Sequence, residues 1–152
     1  MISIIIPAYN EEDFIVKTLR HLNTLKEESA FEIIVSDGGS TDNTVEAARP
    51  YAKIINAPKG KAKQLNHAAK HAKGEYLFFV HADMTVPPRA LTAIKDKIAD
   101  GCDSGGFSNV FDTHNKKIKW IGRLFHLRLT NKSQAENKIF YGDNGIFVRK
   151  DV

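Results

Sequence analysis

The stretch Leu77-Phe78-Phe79-Val80-His81-Ala82-Asp83 constrains this chain more than any other. Four apolar residues run without a break into a His-x-Asp, with Gly74 before them and Pro87-Pro88 after. An apolar run this short, bounded by turn residues, reads as a strand buried on both faces. Such strands belong to parallel sheets covered by helices. Ligands in open sheets of that kind bind just beyond the carboxyl ends of the strands. His81 and Asp83 therefore fall where chemistry is expected. A carboxylate at that lip suits a divalent cation carrying phosphates, and it equally suits a plain turn before Pro87.

The other segments supply the rest of such a sheet. Residues 2–6 are an apolar, β-branched run, expected to stop at Pro7 as a first buried strand. Asn10-Glu11-Glu12-Asp13 is expected to open a helix, with Asn10 as its cap and Asp13 at the reciprocal position of a capping box. Phe14, Ile15, Thr18, Leu19, Leu22 and Leu25 follow at helical spacing as its apolar face. Residues 31–36 read as a second strand. Asp37 to Thr44 is a tight turn into a helix carrying Val45, Ala47 and Ala48, and 52–56 is a short third strand. Residues 60–73 read as a helix with a buried line of Ala62, Leu65, Ala69 and Ala72. This alternation predicts an α/β fold, a doubly wound, mostly parallel sheet with helices on both faces.

Further on, residues 88–99 read as a helix with proline near its start and Gly101 just past its end. Residues 104–111 read as an edge strand made irregular by Gly105-Gly106. Residues 116–129 read as a basic amphipathic helix, Gly142-Asp143-Asn144-Gly145 as a turn, and Ile146-Phe147-Val148 as the start of one more strand. A chain of 152 residues suits one domain. The chain stops at Asp151-Val152 directly after that strand, so the sheet is expected to be incomplete at its C-terminal end.

Lys plus Arg number 22 and Asp plus Glu 18, a net charge of +4, too weak by itself to argue for nucleic acid. The distribution is more telling. No acid occurs between Glu46 and Glu75, where seven lysines and arginines do, and none from Thr113 to Ala135, where six do. Segregated cations suggest an anionic ligand or surface. Cys102 is the single cysteine, so no disulfide forms within the chain. No apolar run is long enough to span a membrane, and the expected location is cytoplasmic, with the inner face of a membrane as an alternative.

Three strand ends converge on one edge of the predicted sheet, presenting Ala8-Tyr9-Asn10-Glu11, Asp37-Gly38-Gly39-Ser40 and His81-Ala82-Asp83. The helix starting at Gly60-Lys61-Ala62-Lys63 brings cations to the same edge. Tyr9 is suited to stack on a base, Asp37 to accept from a base N–H, and the N–H groups near Gly60 with Lys61 or Lys63 to bind a diphosphate. There is no Gly-x-Gly-x-x-Gly after the first strand and no Gly-Lys-Ser/Thr loop, which argues against dinucleotide folds and P-loop NTPases. His67 and His71 are four apart on a helix, without the glutamate or third ligand of a zinc site.

These segments resemble family 2 glycosyltransferases, which have the GT-A fold. The resemblance rests on residues 3–12, 35–44, 60–66 and 74–83, in the expected order and spacing, with 142–147 matching a small bacterial branch. It implies a single nucleotide-sugar-binding domain over residues 1–152, with a donor half over 1–100 and the start of an acceptor half over 101–152. It implies inverting transfer of a sugar from a nucleoside diphosphate, UDP or GDP, to an acceptor hydroxyl. By position, Pro7, Ala8, Tyr9 and Glu11 would line the nucleoside pocket and Asp37 would bind the base beside Gly39. Lys63 would approach the diphosphate. His81-Ala82-Asp83 falls on the family's Asp-x-Asp, so a Mn²⁺ or Mg²⁺ ion would rest on Asp83. The family's usual arginine before the Asn66 position is Leu65 here. Asp143 and Asn144 are acceptor-side candidates, and the family's catalytic base would lie beyond Val152, so this chain is expected to bind nucleotide and to transfer sugar poorly. The alternatives are a non-catalytic nucleotide-binding or interaction module and a nucleotidyltransferase, although the latter favours a basic, Gly-rich loop where Asn10-Glu11-Glu12 stand. A peripheral membrane contact through Lys116–Lys132, with Trp120 and Phe125 among the cations, is a further expectation.

Overall fold

The computed structural model describes residues 1–25, 30–107 and 145–152. The predicted helix over 116–129, the outer part of the strand predicted over 104–111, and the turn residues Asp143 and Asn144 lie outside the described residues. Six strands form one sheet: β1 (Ile2–Ala8), β2 (Phe31–Asp37), β3 (Lys53–Asn56), β4 (Tyr76–Phe79), β5 (Ser104–Gly106) and β6 (Ile146–Arg149). Their order is β3-β2-β1-β4-β6-β5. The first four are mutually parallel. β6 runs antiparallel to β4, and β5 antiparallel to β6. The helices are α1 (Ile15–Thr24), α2 (Thr44–Ala48), α3 (Lys61–His71) and α4 (Ala90–Ala99).

Side chains alternate across the strands, and each face has its own apolar layer. Ile4 and Ile6 of β1 pack with Ile15, Leu19 and Leu22 of α1 and with Leu91 and Ile94 of α4. Ile5, Ile34 and Leu77 on the other face pack with Ala68 of α3 and with Ala72. Full burial of an Ile or Leu side chain contributes about 1.5–3 kcal/mol, so the two layers carry the sheet. The loops at its carboxyl edge are held differently, by hydrogen bonds.

Four local expectations need correction. Pro7 does not stop β1, which runs to Ala8, with Pro7 level with Ser36. Ile5 O accepts from Val80 N and Ala8 O from Gly38 N, so odd residues of β1 face β4 and even ones face β2. The N–H that Pro7 lacks would face Val80 O, so the β1–β4 ladder ends at the pair of Ile5 with Phe79 while β1 goes on pairing with β2 to Ala8. Asn10 does not cap α1, and no capping box forms with Asp13. The helix begins at Ile15 with Phe14 at the cap position, and Phe14 is 52% exposed rather than in the core. The buried line of α3 is Gln64 and Ala68, continued by Ala72, whereas Ala62 is exposed and Leu65 and Ala69 are half-buried. Finally, α4 starts at Ala90 rather than at Pro88, whose neighbour Pro87 accepts from Ala90 N in the preceding turn.

Candidate active site at the carboxyl edge of the sheet

The loops that leave β1 and β2 are joined by a ladder of side-chain to backbone bonds. Asn10 N donates to Ser40 Oγ at 2.9 Å, and Thr41 N donates back to Asn10 Oδ1 at 2.9 Å. Glu11 N donates to Thr44 Oγ1 at 2.7 Å, and Glu12 N to Asp42 Oδ2 at 3.2 Å. Asn43 N donates to Glu12 Oε2 at 2.8 Å. Asn10 adopts a left-handed backbone, φ +55°, which asparagine tolerates better than most residues. That turn aims its side chain across to the second loop instead of along α1. Polar side chains that read as helix caps are therefore inter-loop ties.

Beneath the ladder lies Gln64, 3% exposed. Its Nε2 donates to Ala8 O at 2.7 Å and to Ser36 O at 2.8 Å, and Ser36 Oγ donates to Gln64 O at 2.8 Å. The first turn of α3 is thus pinned to the last residues of both central strands. A Cβ on Gly38 would come within 3.0 Å of the Gln64 amide, so the chain passes over the glutamine with no room for a larger residue unless that side chain gives.

Asp37 is 4% exposed and organises its own turn. Its carboxylate accepts from Gly39 N at 2.9 Å, from Ser40 N at 3.1 Å and from Ser40 Oγ at 2.5 Å. Gly39 has φ +88°, the left-handed conformation this turn requires. Tyr9 projects from the end of β1, 37% exposed, and the Lys59 ammonium lies 3.7 Å from its ring centroid, a cation–π contact. At the start of α3, Lys61 Nζ lies 3.1 Å from His81 Nε2. Lys63 is exposed in the same turn.

The His81–Met84 turn is fastened to α1. Thr18 Oγ1, almost fully buried, donates to Ala82 O at 2.6 Å, and His21 Nε2 lies 2.5 Å from Val86 O. Ala82 is buried, His81 half-buried and Asp83 exposed. Burial, then the charges of Asp83 and Asp42, raise the Glu11 pKa above its ordinary value, with His81 opposing them. Glu11, Asp83 and His81 therefore feel one another electrostatically across the lip of the sheet.

The structure thus gathers Ala8, Tyr9, Glu11, Asp37, Gly39, His81, Ala82 and Asp83 at the carboxyl ends of β1, β2 and β4, with Pro7 just inside β1 and Lys63 on the first turn of α3. Sequence reasoning assigned no site role to Gln64, Thr44 or Lys59, and placed Thr18 on the apolar face of α1, where it is buried, without its bond to Ala82 O. The cue for Gln64 was its spacing, four residues before Ala68 and eight before Ala72, but a glutamine on that line reads as solvent-facing. Among the described residues, no group of three or more His, Cys, Asp or Glu side chains is placed to hold a metal ion. No described helix is long and apolar enough to cross a membrane.

Comparison with known proteins gives this arrangement a family. Residues 3–152 match the model of glycosyl transferase family 2. An undecaprenyl-phosphate 4-deoxy-4-formamido-L-arabinose transferase from Pseudomonas aeruginosa is 26% identical over 160 residues, covering 98% of this chain and 46% of that protein. This chain therefore spans about half the length of the curated relatives it matches. Glucosyl-3-phosphoglycerate synthase from Mycobacterium tuberculosis, solved with Mn²⁺, UDP and glucosyl-3-phosphoglycerate, superposes with a TM-score of 0.69 at 20% identity, covering 99% of this chain and 57% of that one. S. aureus TarS superposes with a TM-score of 0.57 at 30% identity, over 68% of this chain and 34% of that one. The doubly wound sheet with its antiparallel edge is the GT-A fold, and the chain belongs to glycosyl transferase family 2.

Proposed function

We propose that this chain forms the donor site of an inverting, metal-assisted glycosyltransferase that moves a sugar from a UDP- or GDP-linked donor to an acceptor hydroxyl. The observation that carries the proposal is the convergence of Tyr9, Asp37, Lys61, His81 and Asp83 on loops locked together at one sheet edge. Tyr9 offers a ring face to a base, with Pro7 and Ala8 as the floor of that pocket and Glu11 at its rim. Asp37, held in its Asx turn with Gly39, offers its carboxylate edge to a base N–H. The N–H groups at the start of α3, with Lys61 and Lys63, take the diphosphate.

For a metal, the donor set is one exposed carboxylate, Asp83, with Glu11 close enough to be perturbed by it. One carboxylate completed by diphosphate oxygens and water is a donor set that Mg²⁺ or Mn²⁺ accepts, and Asp83 would hold it. Such an ion supplies Lewis-acid neutralisation of charge on the departing diphosphate. The chain's own part is orientation: the Thr18 bond fixes the backbone that carries Asp83, and the Asn10–Thr41 tie fixes the loop that carries Tyr9 and Glu11. The acceptor half is proposed to begin after residue 100, with Asp143 and Asn144 on the acceptor side. Two of the three proteins named above carry phosphate-bearing partners in their names. The basic segment Lys116–Lys132 suits an anionic acceptor or an anionic membrane surface of that kind.

The test is amide chemical-shift mapping of the labelled chain with UDP and with GDP. Perturbations are expected over residues 8–12, 37–44, 59–64 and 81–83. Shifts confined to α4 or to the β5–β6 edge would contradict the assignment.

A further inference from the structure

Lys59 stands in the connection between β3 and α3 and carries its cation onto the aromatic ring that the donor site needs. Its ammonium lies 3.7 Å from the Tyr9 ring centroid. That is contact distance between non-bonded heavy atoms, so no base fits on that face of the ring while the ammonium is there. Lys59 is exposed, and among the described residues no carboxylate lies within ion-pair distance of it. The ring face is what holds it in place.

The sheet order β3-β2-β1-β4 says which face is covered. Tyr9 follows β1, Asp37 ends β2 and Lys59 follows β3, so from Tyr9 both Asp37 and Lys59 lie in the same direction along the edge. The chain leaving β3 is tied to Asp37 itself, because Ala57 N donates to Asp37 O at 2.8 Å. A base that stacks on Tyr9 and gives an N–H to Asp37 lies on that side, where it meets Lys59. A second resting place for the ammonium is close by. Only Gly60, with φ +124°, separates Lys59 from α3, whose first turn Gln64 pins to Ala8 and Ser36. The root of the side chain is thus anchored beside the start of α3, while the charge rides on a flexible four-carbon stem. A diphosphate at that helix start is a stronger partner for an ammonium than an exposed ring face.

We propose that Lys59 is a specificity residue of the donor site, one that favours nucleoside diphosphates over nucleosides. Its ammonium covers Tyr9 until a nucleotide displaces it. The base then takes the ring face and the ammonium passes to the diphosphate. A nucleoside has to displace the same cation and offers it nothing in return. The inference rests on the donor-site reading, which supplies the positions of base and diphosphate.

The experiment is amide chemical-shift titration of the 152-residue chain in Mg²⁺ with UDP, GDP, uridine and guanosine, for wild type, Lys59→Met and Lys59→Arg. Methionine keeps most of the stem and removes the charge. For the diphosphate that binds, Lys59→Met is expected to lose about fivefold or more in affinity. For the matching nucleoside it is expected to gain about two- to fivefold, the worth of an exposed cation–π contact. Lys59→Arg keeps the charge and is expected to stay within about twofold of wild type for both ligands. A merely structural role for Lys59 would move both affinities in the same direction. A Lys59→Met chain that binds the nucleoside no more tightly than wild type, or the diphosphate no less tightly, overturns the specificity role and leaves the donor site standing. So does a Lys59→Arg chain that matches Lys59→Met. Folded wild type that binds neither diphosphate overturns both.

Discussion

Gln64 Nε2 donates to Ala8 O at 2.7 Å, tying the first turn of α3 to the last residue of β1. The second amide proton goes to Ser36 O on β2. Replacing Gln64 by Leu keeps the size and removes both donors from buried carbonyls. A buried bond that is lost with its partner left unsatisfied costs about 1–3 kcal/mol, so Gln64→Leu is expected to lose about 2–4 kcal/mol in urea unfolding. Gln64→Glu is expected to do no better, because it sets carboxylate oxygens against carbonyls. A loss below about 0.5 kcal/mol in both variants would show that α3 is docked by Ala68 and Ala72 alone.

Asn10 combines a left-handed backbone with the Oδ1 that accepts Thr41 N. Asn10→Ala loses the tie and keeps the backbone strain, and is expected to cost about 1–3 kcal/mol. Asn10→Gly loses the same tie and relieves the strain, so it is expected to cost clearly less. Equal unfolding midpoints for the two variants would contradict the role given to the backbone conformation.

Thr18 holds the Ala82 carbonyl from inside α1 at 2.6 Å. Thr18→Val is close in shape and leaves that carbonyl without its donor, for an expected loss of about 1–2 kcal/mol. Thr18→Ser retains the hydroxyl. It should keep most of the bond while losing a buried methyl. Because Ala82 sits between His81 and Asp83, only the valine variant is expected to weaken nucleotide binding. A Thr18→Val chain with wild-type affinity would mean that the His81 turn is fixed by other contacts.

How much of this was legible beforehand follows from how local each signal is. The run Leu77-Phe78-Phe79 and the β-branched residues 2–6 announce buried strands because each strand writes its own pattern. The motif residues of 7–12, 37–44 and 81–83 mark the site because strand ends converge in any such sheet. The inter-loop ladder was not legible, since its partners stand about thirty residues apart, as Asn10 and Thr41 do. Local capping was the better guess for Asn10 on sequence alone. Pro7 was misread because only the hydrogen-bonding side of a strand decides whether proline breaks it. Gln64 was passed over because hydropathy cannot tell a buried amide with two partners from an exposed one.

Stability at acid pH has a specific contributor at the opposite edge of the sheet. Burial raises the Glu32 pKa, but the Ser3 hydroxyl at 2.6 Å, the Lys73 N–H at 2.5 Å and the charges of Lys53 and Lys73 outweigh it, and the net value is lowered. The folded chain therefore holds this proton more weakly than the unfolded chain does. Glu32 contributes stability that is full above the ordinary carboxylate range and is lost as pH falls through its lowered folded value. Ser3→Ala removes one cause of the lowering, so its cost in urea unfolding is expected to be larger at about pH 7 than at about pH 3. The same cost at both values would contradict the coupling.

The most direct test of the donor site is the affinity of the folded chain for UDP and for GDP in Mn²⁺, measured by calorimetry for wild type and for Tyr9→Ala. Tyr9 is exposed and outside the core, so its removal leaves the fold intact. The donor-site assignment predicts saturable one-to-one binding of one nucleotide. It also predicts a loss in Tyr9→Ala of about 1–3 kcal/mol, the usual worth of an aromatic face beneath a base. Binding that is identical in the two chains, or no binding of either nucleotide by wild type, would contradict it.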